Sequence, residues 1–381
     1  MKFQSNFALG AKAFFLITFM VCIWLPFLDT FFIGSSEKEP VTEKRKLSKR
    51  PEWSPTWKFI EKFPMDFEAY YNDHFGFRKK LINLNNHIKV NWLKISPSAR
   101  VLIGKNGWLY YAGENSIDYY RANCQLDLGQ LDTWRGILDA KRQWLANRKI
   151  AYAFVVAPSK ESIYPENIPD RIVKTGGLVI FDQLNDYLGK STDFRIVDVR
   201  SALVEGKKRS PVYHIADSHW TEFGAYLAYS KLLDSLGIPS RHLSPVPLDN
   251  FILTEVIKSG GDLANMTAVA TVAEEAVLSL HPRNAYAASP VDVGYSVPNM
   301  HISAFENKRS NGPRAVMFCD SFGDELKPFL AEHFSRIVYV QGTSLMVAFD
   351  SGIVMREQPE VVIEEMAERK FVIFPPPLTN P

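Results

Sequence analysis

The stretch Ala315-Val-Met-Phe-Cys-Asp-Ser-Phe-Gly-Asp324 does most to limit the folds open to this chain. An apolar run from Ala315 to Phe318 ends in Asp320-Ser321-Phe322-Gly323, and a helix-like segment over residues 325–334 follows. A strand, a sharp turn and a helix in that order put a serine hydroxyl at the carboxyl end of a sheet strand. Open α/β sheets hold ligands at that edge, and the amides opening the next helix can stabilise an anion there. The same alternation recurs along the chain. An amphipathic helix over 126–147 precedes a continuous apolar run over 150–158, and a helix over 178–188 precedes a strand over 194–199. Residues 221–236 read as a helix capped by Thr221 and stopped by Gly237, and 337–340 as a further strand. Strands alternating with helices predict an α/β fold with a doubly wound, mainly parallel sheet. Residues 101–111 read as a hairpin around Gly104-Lys-Asn-Gly107, with no phosphate-loop spacing. Residues 239–303 carry β-prone pieces in no legible order.

A serine at neutral pH becomes a nucleophile only when an imidazole takes its proton and a carboxylate orients that imidazole. Ala216-Asp-Ser-His-Trp-Thr221 supplies both groups. Asp217 and His219 are two residues apart, which places them on one side of an extended segment just ahead of a helix. Asp217, His219 and Ser321 are therefore a candidate triad. Asp73-His74 is a second acid and imidazole pair, read instead as a polar structural turn tied to Arg78.

Charge balance excludes some functions. With Lys+Arg 44 against Asp+Glu 42, the net charge is +2, and nothing marks nucleic acid as a partner. Of the cysteines Cys22, Cys124 and Cys319, the last sits in the apolar run before Ser321, where a free thiol packs as a small apolar group. The scattered histidines and cysteines have no metal-ligand spacing. At the amino end, residues 13–33 form an apolar run of roughly bilayer length. Lys2 and Lys12 precede it, and no small-residue cleavage site follows. The expectation is an uncleaved signal anchor over residues 1–34, a charged linker over 35–56, and a body over 57–381 whose residues 57–100 form a helical stem packed on it.

From about Trp57 onward the chain resembles the SGNH/GDSL hydrolases in the rearranged form used by periplasmic alginate O-acetyltransferases of the AlgJ and AlgX type. The carriers are Asn72-Asp-His-Phe-Gly-Phe-Arg78, Gly104-Lys-Asn-Gly-Trp-Leu-Tyr110, Val156-Ala-Pro-Ser-Lys160 with Tyr164-Pro165, Asp217-Ser-His-Trp220, Gly261-Asp-Leu263, Asp320-Ser-Phe322 and Glu368-Arg369. The His block precedes the Ser block, which resembles the circularly permuted order of that family. The last block departs from the SGNH pattern: no asparagine occupies it, and Glu365 and Arg369 stand nearby instead. Cys319 stands where the usual motif has glycine.

The resemblance implies a circularly permuted SGNH-like body and two-step acyl transfer. Ser321 is then the nucleophile, His219 the general base and Asp217 its orienting carboxylate. Oxyanion donors would come from the Ser321 and Phe322 amides, Gly342 or Arg369. Lys160 and Tyr164 would line the acceptor cleft, or else cap a helix and pack a loop. Trp220 would stack on a sugar or pack beneath the His219 turn, and Arg369 would touch substrate or pair with Glu365. A polysaccharide acceptor, a membrane-bound acyltransferase as acetyl donor, an inner-membrane tether and a periplasmic body are implied, with no cofactor and no metal. An acetyl esterase and a non-catalytic polymer-binding or assembly component are the alternatives.

Overall fold

The computed structural model describes residues 2–29, 47–236, 243–267, 274–342 and 349–372. The chain divides into two compact units, Met1–Pro97 with Thr267–Val269, and Ser98–Met266 with Ala270–Pro381.

The first unit is helical: α1 (Lys2–Leu28), α2 (Trp57–His74) and α3 (Arg78–His87). Thr56 starts α2 by accepting the Phe59 amide at 3.3 Å. Phe59, Phe63, Phe67 and Tyr71 then stack at helical spacing, with ring centroids 5.3, 5.5 and 6.4 Å apart. Asp73 and His74, expected in a polar turn, are instead the last two residues of α2, and the turn follows at Gly76 and Phe77. Arg78 Nε donates to Asn72 O at 2.8 Å, His74 Nδ1 lies 2.8 Å from Tyr70 O, and Asp73 accepts the Ser48 amide. Among the described residues, no helix is long and apolar enough to cross a membrane. The expected span over residues 13–33 falls only in part within the described residues, and its distal end lies outside them with most of the linker.

The second unit carries β1 (Val101–Ile103), β2 (Leu109–Tyr111), α4 (Ser116–Tyr120), α5 (Leu128–Ala146), β3 (Ala151–Ala157), α6 (Lys160–Ile163), α7 (Ile180–Ser191), β4 (Val197–Asp198), α8 (Arg200–Gly206) and α9 (Glu222–Ser235). Then come β5 (Phe251–Lys258), α10 (Asp262–Thr267), β6 (Glu275–Pro282), β7 (Ser289–Val291), β8 (Met300–Glu306), β9 (Arg314–Cys319), α11 (Lys327–Ala331), β10 (Arg336–Gly342), α12 (Ser351–Glu357) and β11 (Val361–Ala367). The main sheet has seven strands in the order β4-β3-β11-β9-β10-β8-β7. From β4 to β10 every pairing is parallel, and β8 and β7 add an antiparallel edge. The sheet is mixed, with the expected parallel majority.

Both faces are buried, as continuous apolar strands require. On one face Ala153, Val155, Met317, Tyr339 and Ile363 pack with α8, α9 and α11 through Leu203, Phe223, Tyr229 and Phe329. On the other, Phe154 and Val156 meet α5 and α7 through Trp134 and Leu184, and Val316, Val338 and Val362 meet α12 through Ile353. Alternate residues of each strand supply the two faces. Asp127 and Gln130 close a capping box that starts α5, and Thr221 accepts the Gly224 amide to start α9. Gly237, expected to stop α9, lies outside the described residues.

Local departures have local causes. The segment after Ser321 begins as a 3-10 turn, Ser321–Leu326, and turns α-helical only over Lys327–Ala331. Pro328 has no N–H to give a preceding α-turn, so it sits in the first turn of α11. Within residues 239–303, β5 and β6 pair as an antiparallel hairpin outside the main sheet.

Candidate active site

β9 runs straight into Ser321. Asp320 caps the turn, its Oδ1 accepting the Phe322 amide at 3.0 Å and its Oδ2 the Ala367 amide at 2.9 Å, with Lys370 Nζ at 3.0 Å. Burial opposes a charge on Asp320, but Lys370, Arg369 and the two amides hold it ionised, below the usual carboxylate range. Gly323 is required by packing: a Cβ there would stand 2.6 Å from Cys319 Cβ. Cys319 is buried, which pushes its thiol well up and leaves it inert.

The imidazole arrives from the loop before α9. His219 Nε2 lies 2.7 Å from Ser321 Oγ, and its Nδ1 lies 2.7 Å from Asp217 Oδ1. The same Asp217 oxygen accepts the His219 amide at 2.9 Å, and Oδ2 accepts the Asp262 amide at 2.9 Å. Three donors therefore converge on one carboxylate. Burial alone would raise the Asp217 pKa, yet the His219 bond and charge outweigh it and leave Asp217 well below the carboxylate range. For His219 burial pulls the pKa down, and Asp217 more than restores it, with a net shift upward. An Nδ1–H donated to Asp217 leaves the Nε2 lone pair for the serine proton.

The loop is tied down from below and from the side. Buried Lys160 donates to the carbonyls of His214 at 2.8 Å, Ile215 at 3.1 Å and Asp217 at 2.7 Å. Burial brings its ammonium down to about 8, with nearby carboxylates holding it up from there. Asp262 accepts the Ser218 amide at 2.7 Å and the Ser218 hydroxyl at 2.5 Å. Gly261, at φ +145°, lets that segment press on the loop; a Cβ would meet Ala216 O at 2.5 Å. Asp217, His219 and Asp262 lie close enough to share a cation. The same three residues also form a hydrogen-bond cluster, with His219 Nδ1 2.7 Å from Asp217 Oδ1 and the Asp262 amide on Asp217 Oδ2.

A cavity of about 360 Å³ opens over the serine, lined by Asp217, His219, Trp220, Ser321, the Lys258–Gly261 turn, Asp324, Glu325, His214 and Glu275. Ser321, His219 and Asp217 meet as the sequence predicts. The other expected site residues divide. Lys160 is a prop under the loop, since its ammonium is spent on three carbonyls. Tyr164 is likewise structural: its ring packs 4.3 Å from Trp108, and its hydroxyl accepts the Val212 amide. Trp220 is 1% exposed and meets Phe322 edge-on at 5.1 Å, so it packs beneath the site and has no face free for a sugar. The Phe322 amide is committed to Asp320, and its ring lies 4.8 Å from His219, so it is a floor rather than an oxyanion donor. Gly342 ends β10 opposite Met300 and does not line the cavity.

Arg369 does not pair with Glu365. An i−4 pairing needs a helix, and residues 361–367 are a strand. Arg369 Nε instead lies 3.5 Å from Glu114 Oε2, and its guanidinium faces Tyr111 at 5.0 Å and Phe322 at 5.6 Å. Glu365 accepts the Asp320 amide at 3.0 Å. Asp262 and Glu275 are additions to the expected site. Gly-Asp at 261–262 was a visible signal, whereas Glu275 stands in a segment with no legible pattern.

An α/β sheet carrying a serine at the end of a parallel strand, faced by an imidazole and carboxylate from a separate loop, defines an SGNH hydrolase-like protein. The profile of the family described as "SGNH hydrolase-like domain, acetyltransferase AlgX" matches residues 101–368, and the chain belongs to that family. Two curated relatives carry the name probable alginate O-acetylase AlgJ. That of Azotobacter vinelandii is 21% identical over 224 residues, 56% of this chain and 53% of its own. That of Pseudomonas syringae pv. tomato is 26% identical over 167 residues, 43% and 40%. The chain thus spans about half the length of the curated relatives it matches. The solved O-acetyltransferase domain of Pseudomonas putida AlgJ is 16% identical, with a TM-score of 0.46 over 74% of this chain and 95% of that one.

Proposed function

We propose that the chain is an O-acetyltransferase that moves acetyl groups onto hydroxyls of an exported polysaccharide through an acetyl-serine intermediate. The observation that carries the reading is one imidazole bonded to Ser321 Oγ on one nitrogen and to Asp217 on the other. Ser321 Oγ attacks the acetyl carbonyl carbon as its proton passes to His219 Nε2. The leaving group takes that proton, and Ser321 holds the acetyl ester. A sugar hydroxyl then gives its proton to Nε2 and attacks the ester; Ser321 recovers the proton on release. Asp217 keeps the tautomer and stabilises the imidazolium in both halves. Family membership and the alginate O-acetylase names of the curated relatives support a polysaccharide acceptor.

The apolar, exposed flank of α1, including Phe14, Phe15, Ile17 and Trp24, supports a tether to the inner membrane with the second unit in the periplasm. A membrane-bound acyltransferase would then bring the acetyl group to the serine. The test pairs p-nitrophenyl acetate with an alginate or cello-oligosaccharide and follows ester formation on the sugar. Transfer that disappears in Ser321→Ala supports the reading. Transfer that survives the substitution overturns it, and hydrolysis without transfer makes the protein an esterase.

A further inference from the structure

A second imidazole and carboxylate pair faces the same cavity. Tyr213 and Trp220 form an antiparallel bridge, and the His214 amide donates to His219 O at 3.3 Å. His214 therefore stands directly across from His219. Cross-strand neighbours project to one face, with their Cβ atoms about 5 Å apart. Tyr213 and Trp220 point the other way, into the core, at 0% and 1% exposure. His214 Nδ1 lies 2.5 Å from Glu275 Oε1, and Glu275 Oε2 accepts the Ile215 amide at 2.7 Å. Glu275 is buried and His214 lines the cavity beside Ser321. With Nδ1–H given to Glu275, Nε2 carries a lone pair and has no partner among the described residues. The proton on Ser321 is already assigned to His219, so the second imidazole is not needed for the nucleophile.

We propose that His214, oriented by Glu275, is an acceptor-binding residue: its Nε2 accepts a hydrogen bond from a second hydroxyl of the sugar whose neighbouring hydroxyl is acetylated. This rests on the reaction proposed above and adds its acceptor class, a polyol presenting two hydroxyls to adjacent imidazoles. Such a contact acts in the second half-reaction and leaves its mark on the acceptor rather than on the acetyl donor.

The experiment uses the full chain, p-nitrophenyl acetate, and an alginate or cello-oligosaccharide as acceptor. Active serine is counted by labelling Ser321 with phenylmethylsulfonyl fluoride, so that loss of folded protein is normalised away. In His214→Asn the acceptor KM should rise about tenfold per labelled serine, and the ratio of transfer to hydrolysis should fall by a similar factor. Glu275→Gln keeps an oxygen for the Ile215 amide but turns its NH2 to Nδ1, which moves the ring proton to Nε2 and removes the accepting lone pair, and should move both quantities the same way. A purely structural role would lower labelling and leave the acceptor KM and the partition ratio of the labelled fraction unchanged, which overturns the proposal. If Ser321→Ala retains transfer, the acyl-enzyme reading fails first and independently.

Discussion

Asp217→Asn tests the electrostatic arrangement most directly, because an amide cannot meet the demands on that side chain. One oxygen of Asp217 accepts both His219 Nδ1 and the His219 amide, and the other accepts the Asp262 amide. With the amide oxygen of asparagine at the first position, its NH2 meets the Asp262 N–H, donor against donor. With the oxygen at the second, the NH2 faces His219 and forces Nδ1 to accept, which moves the ring proton to Nε2 and removes the base. Either placement also removes the negative charge that stabilises the imidazolium in both half-reactions. Losing a charge-assisted bond and the correct tautomer together should lower kcat roughly 10³-fold, a barrier increase of about 4 kcal/mol. The pH profile gives a second reading. Burial lowers the His219 pKa and Asp217 raises it further, so the charge sets the net upward shift. The base works when neutral, so activity rises with pH through this pKa. In Asp217→Asn the residual activity should therefore begin its rise at lower pH than in the parent chain. Initial rates of p-nitrophenyl acetate turnover across pH, normalised to labelled serine, measure both effects. A variant with near-parental kcat, or an acid limb that moves to higher pH, would refute the assignment of Asp217.

Gly261→Ala should cost about 1–3 kcal/mol and most of the activity, since φ +145° and the 2.5 Å approach to Ala216 O leave a Cβ no room; thermal melting and turnover check it, with Gly260→Ala, in open space, as the milder control. Lys160→Met should destabilise the second unit by about 3 kcal/mol by leaving buried carbonyls unpaired, and urea titration reads it. Glu365 is raised well above a normal carboxyl by burial and the Asp320 charge. The unfolded chain therefore ionises first as pH rises past the ordinary carboxyl value, and stability falls from there toward the folded pKa. Glu365→Gln should remove that slope in melting curves and be nearly neutral at acid pH. Trp220→Phe should lower stability without raising the KM for an oligosaccharide, because the ring lies beneath the site.

What the sequence disclosed about the site follows from which constraints are local. A serine ending an apolar run and an Asp-x-His ahead of a capped helix are set by neighbours within one turn, so Ser321, His219 and Asp217 could be named without tertiary knowledge. Asp262 reaches the loop from the start of α10 and Glu275 from the start of β6, and only the tertiary fold brings them there. Long-range pairing also hides the sheet order: β11, the last strand in the chain, lies between β3 and β9 near the middle of the sheet. That placement explains the misreading of Arg369. Residues 361–369 contain carboxylates and a guanidinium at helical spacing, but β-branched Val361, Val362 and Ile363 fill a buried strand position, so Glu365 turns to Asp320 and Arg369 to Glu114. Trp220 and Lys160 show the same limit in another form. An indole beside the His219 imidazole serves equally well as a sugar platform or as packing, and a lysine near a strand end as a ligand or as a brace. The bridge from Tyr213 to Trp220 decides the first, and three carbonyls decide the second. The bridge that buries the indole also sets His214 beside His219, so the element that removes one expected sugar contact supplies the geometry for another.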